Sequence, residues 1–97
     1  MYGLIGKITA TSGQRDALIA ILVAGSDALP GCYSYIVAAD AVDQDIIWVT
    51  EVWDSETSHK ASLLIASVKQ AIMKGRPLIA GMERVATTAP LISHTKY

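Results

Sequence analysis

The chain has 97 residues and a formal net charge of −1 with no run of Lys or Arg, so it carries no basic footprint for nucleic acid or an anionic membrane surface. It is 52% hydrophobic and 18% charged, more apolar side chain than so small a domain can hide, which predicts that a partner covers part of it. A single cysteine, Cys32, excludes an intramolecular disulfide, no Cys/His spacing suggests a metal site, and the longest apolar run, 17–25, is too short to span a bilayer.

The opening residues, "MYGLIGKITA", lack the charged leader of a signal peptide, so the expectation is a soluble, cytoplasmic chain forming one domain over 1–97. Within them, 2–10 predicts a strand, weakened by Gly3 and Gly6. "TSGQ" (11–14) predicts a turn with Ser12 as N-cap. A helix over 14–28 follows, with Ala17, Leu18, Ile21, Leu22 and Ala28 at helical spacing and Asp16 where the helix dipole favours a negative charge. Gly25 and Pro30-Gly31 stop it.

"CYSYIVAA" (32–39) predicts a second strand, "DAVDQD" (40–45) a polar hairpin loop, and "IIWVTEVW" (46–53) the strongest strand. Asp54 or Ser55 then caps a second helix whose stripe is Ala61, Leu64, Ile65, Val68 and Ile72, closed by Gly75 and Pro77. A last strand over 82–91 ends at Pro90.

Strand-helix-strand-strand-helix-strand is the ferredoxin-like βαββαβ order, an α+β fold with an antiparallel four-stranded sheet and both helices on one face. The third strand is apolar on both sides: Ile46, Trp48 and Val52 point one way, Ile47, Val49 and Trp53 the other. A sheet with one wet face alternates apolar with polar. A sheet apolar on both faces predicts a homodimer packed sheet to sheet.

The "EVWDS" segment (51–55), the following helix with His59, and "SLLIASVKQAI…RPLIAG" resemble the antibiotic biosynthesis monooxygenase family, in particular its small quinol-monooxygenase-like members, and the likeness covers nearly the whole chain. The resemblance implies a dimeric α+β barrel with a pocket between sheet and helices. It implies a cofactor-independent monooxygenase, using neither metal nor flavin, that oxidises a quinol or related phenolic aromatic with O₂. The alternatives are a non-catalytic dimeric small-ligand-binding or stress-response module, and a haem-binding or haem-degrading protein. The chain contains no asparagine, which disfavours the haem-degrading branch of the family, where an asparagine belongs to the working set.

Candidate residues follow from chemistry. His59 is the candidate base, since the imidazole side chain exchanges protons near neutrality. Trp53 and Trp48, of opposite strand parity, are candidate aromatic walls. Glu51 shares a face with Trp53 and serves either as a second base or, as the preferred reading, as half of a salt bridge to Arg84 or Lys7. Tyr35 is a candidate donor to a substrate oxyanion. Tyr33, on the same strand face by simple alternation, and Leu63 complete the substrate wall. Cys32 is expected to be a small buried hydrophobe on the opposite face from the two tyrosines, and Arg76 a solvated helix end or a guard for an anionic substrate.

Overall fold

The computed structural model describes residues 1–91, so His94 lies outside the described residues. Its elements are β1 (Tyr2–Ala10), α1 (Arg15–Gly25), β2 (Cys32–Ala39), β3 (Ile46–Trp53), α2 (Glu56–Ser62), α3 (Ala66–Gly75), a 3₁₀ turn (Arg76–Leu78) and β4 (Ile79–Thr88). The strands form one sheet in the order β2-β3-β1-β4, with every neighbouring pair antiparallel. This is the ferredoxin-like α+β fold. No helix of the described residues is long and apolar enough to cross a membrane.

Local chemistry accounts for the boundaries. The α1 helix begins at Arg15, with Gln14 rather than Ser12 in the cap position and without a side-chain capping bond. It ends at Gly25, and Ala28 adopts a left-handed φ of 52° in the turn beyond it. At the start of α2, the Ser55 side chain accepts from the Ser58 N–H at 3.2 Å, as an N-cap should.

The predicted second helix is broken. Ser62 Oγ donates to the His59 carbonyl at 2.6 Å, and the N–H groups of Leu63, Leu64 and Ile65 donate three residues back, tightening the turn. Ile65 then goes extended (ψ 134°) before α3 starts. Serine back-bonding and the tightened turn end the first segment without Gly or Pro. The break shifts the helical phase, so Leu64, expected in the apolar stripe, is 73% exposed. The last strand also begins three residues earlier than predicted and ends at Thr88.

The core joins Ile8, Ala10, Leu18, Ile47 and Val49 beneath the helices, with Leu22, Val37 and Ile79 among the residues packed on it. Two close approaches seat α3 on α1. A Cβ on Gly25 would come within 2.5 Å of the Ala71 Cβ, and one on Gly75 within 3.2 Å of Leu18 Cδ1. Among the described residues, no helix covers the sheet's other face. Side chains alternate across a strand, so Ile5, Lys7, Ile36, Trp48 and Val52 lie on that face, and Ile36 is 56% exposed.

Candidate functional site

Where the core ends along β1 and β3, a cavity of about 620 Å³ opens between the sheet and the helices. Its floor is the helix-facing row of β1 and β3: Leu4, Gly6 and Ile8 beside Val49, Glu51 and Trp53. The Ile21 and Leu22 side of α1 and the Val68, Ala71 and Ile72 side of α3 form its roof. Leu63, Ile72, Arg76, Met82 and Arg84 line it while remaining exposed, so they make its rim. Most of this surface is apolar, and Glu51, His59 and Tyr35 meet at one corner away from the two rim arginines.

That corner is built from three elements. Glu51 and Trp53 share a face of β3, and the Trp53 Nε1–H donates to Glu51 Oε1 at 3.0 Å. His59, one turn into α2, brings Nε2 to 3.9 Å from the same oxygen, too long for a hydrogen bond but close enough for charge coupling. The two side chains are only 13% and 15% exposed. His59 is also packed edge-on against Trp53, with ring centres 5.4 Å apart, and tilted against Tyr2 at 5.8 Å. Among the described residues, Glu51 Oε2 makes no hydrogen bond, so one carboxylate oxygen stays available to a ligand.

Tyr35 sits directly opposite Glu51 on β2 and lines the cavity. Burial, reinforced by the Glu51 charge, pushes its hydroxyl well above the ordinary phenol range. It therefore remains a neutral donor. Cys32 is also held above its usual value, first by burial.

Several expectations are corrected here. Glu51 does not pair with Lys7 or Arg84: Lys7 lies opposite Trp48 on the other sheet face, and Arg84 is two strands away. Trp48 does not line the cavity. Its Nε1–H donates to Asp40 Oδ1 at 2.8 Å, and Lys7 Nζ stands 5.8 Å from its ring centre. That bond, with backbone N–H groups of Asp43 and Val42, pulls the Asp40 carboxyl down to about 2.

Tyr33 does not line the cavity either and is 64% exposed. Cys32 pairs with Trp53 and Ser34 with Val52, so Tyr33 is the extra residue of a β-bulge. The bulge resets the alternation, placing Cys32 on the same side as Tyr35. Leu63 does line the cavity, as do His59, Glu51, Trp53 and Tyr35. Tyr2 was missed. Its only signal is its place opposite Trp53, which needs the β1–β3 register. Among the described residues no group of three His, Cys, Asp or Glu side chains is placed to hold a metal ion.

The family model for antibiotic biosynthesis monooxygenase matches residues 1–72. A crystal structure described as a putative antibiotic biosynthesis monooxygenase from Chloroflexus aurantiacus J-10-fl is 61% identical, with a TM-score of 0.94 over 97% of this chain and 96% of that one. One with the same description from Nitrosomonas europaea is 14% identical, with a TM-score of 0.85 over 95% of this chain and 100% of that one. PA3566 from Pseudomonas aeruginosa is 21% identical, with a TM-score of 0.82 over 94% of each chain. These last two show the shared fold alone. No curated protein matches.

Proposed function

Because the chain belongs to the antibiotic biosynthesis monooxygenase family, we propose that it is a cofactor-independent monooxygenase acting on a quinol or related phenolic aromatic with O₂. The observation that carries this reading is the corner of Glu51, His59, Trp53 and Tyr35 at one side of an otherwise apolar cavity of about 620 Å³.

His59 takes the proton of an aryl hydroxyl, with the Glu51 carboxylate stabilising the imidazolium that forms. Tyr35 donates to the resulting aryloxide, and Trp53 and Leu63 wall the ring. The electron-rich anion reduces O₂ and forms a carbon–oxygen bond. The O–O bond then breaks: one oxygen atom stays on the ring and the other leaves as water. The substrate supplies all the electrons, so a quinol plus O₂ balances as a hydroxyquinone plus water.

Two copies pack through their uncovered sheet faces, burying Ile5, Ile36, Trp48 and Val52; sedimentation as a dimer at micromolar concentration checks this. For the reaction, an oxygen electrode with menadiol should record uptake above autoxidation that a chelator leaves unchanged. His59→Ala should lower that uptake by about 100-fold or more. Uptake at the autoxidation rate, or a full rate in the variant, refutes the proposal.

A further inference from the structure

The charged groups around the cavity are not mixed. Glu51 stands at one corner, 15% exposed, and among the described residues only His59 stands beside it as a potential cation. A second carboxylate entering that corner would be desolvated next to a like charge. Arg76 and Arg84 stand on the rim, and neither forms a salt bridge among the described residues. Glu83 also borders the cavity, but it pairs opposite Lys7, which places its side chain on the other sheet face. What it presents beside Gly6 is its carbonyl oxygen.

The register separates the two poles. Glu51 is opposite Leu4, and Arg84 is opposite Gly6 on the far side of β1. Two strand spacings across and two residues along put their Cα atoms about 12 Å apart. The floor between them is bare at Gly6, where a Cβ would meet nothing nearer than 3.8 Å.

From this polarity we infer that the cavity selects an aryl hydroxyl compound carrying a carboxylate on its far side. The neutral hydroxyl points to Glu51, His59 and Tyr35, the flat ring lies over Gly6, and the carboxylate meets Arg84 and Arg76. This narrows the substrate class of the reading above and rests on it for the role of the corner.

Calorimetric titration with two air-stable probes, 2-naphthol and 6-hydroxy-2-naphthoate, separates binding from turnover. The carboxylate-bearing probe should bind about tenfold more tightly. That preference should shrink as salt is raised and vanish in Arg76→Gln/Arg84→Gln, where the two probes should bind alike. Equal affinities in the unaltered protein, a preference that survives in the double variant, or no binding of either probe overturns the inference. The salt titration tests the same charge dependence on the unaltered protein. Failure of the oxygenase reading shows separately, as menadiol uptake at the autoxidation rate while the carboxylate preference persists.

Discussion

Gly6→Val should raise stability and lower ligand affinity together. Gly6 has an ordinary negative φ, since the described glycines with positive φ are Gly13 and Gly31. A Cβ there would sit 3.8 Å from the Glu83 carbonyl oxygen and 3.9 Å from that of Val49, normal contact distances, with open cavity beyond. Removing glycine from a strand interior is worth roughly 0.5–1 kcal/mol. Covering part of a valine side chain against Leu4, Ile8 and Val49 adds about 0.5–1 kcal/mol, less than the full burial value. The sum, roughly 1–2 kcal/mol, corresponds to a rise in Tm of about 4–15 °C for a domain of this size. The same branched side chain stands where the substrate ring is placed, so affinity for 2-naphthol should fall at least about tenfold. Calorimetry of melting and of titration reads both. A lower Tm would mean that the floor is already packed, and an unchanged affinity would mean that ligands do not lie over Gly6.

Gly25→Ala makes the opposite case: the added methyl would come within 2.5 Å of the Ala71 Cβ, and overpacking at the α1–α3 crossing should cost about 1–3 kcal/mol by urea denaturation. Tyr35 has its pKa raised above 10, so its contribution to stability is full below pH 10 and is lost as pH rises toward the folded-state value. Comparing denaturation of wild type with Tyr35→Phe on either side of pH 10 should show the wild type losing ground only on the alkaline side. Asp40 is pulled from 3.8 down to about 2, chiefly by the Trp48 hydrogen bond, so its stabilising effect is present above pH 3.8 and lost as pH falls toward 2. In Trp48→Phe the Asp40 carboxyl should titrate closer to 3.8, as read by carbon NMR of that group.

Much of the fold is legible because hydrophobic periodicity is a local property. The Ile46–Trp53 strand and the Leu18 face of α1 announce themselves by spacing alone, and parity along β3 is enough to put Glu51 beside Trp53 and away from Trp48. The break between α2 and α3 is not legible, because Ser62 and Ile65 are ordinary helix residues until the Ser62 hydroxyl takes the His59 carbonyl. That break decides that Leu64, expected in the apolar stripe, faces solvent.

The chain's order of residues thus determined the four strands, the first helix, the doubly apolar sheet and the short list containing His59, Glu51, Trp53 and Tyr35. Only the tertiary structure decided which of the listed residues meet. The bulge at Tyr33 removed it from the wall and turned Cys32 inward, the fold brought the Trp48 indole to Asp40, and the β1–β3 register set Tyr2 beside the corner, against His59. The physical reason is that alternation and helical phase are set by neighbours within a few residues, whereas register, bulges and helix breaks are settled by hydrogen bonds to distant or backbone partners. A single residue of slip in any of these moves a side chain from one face to the other.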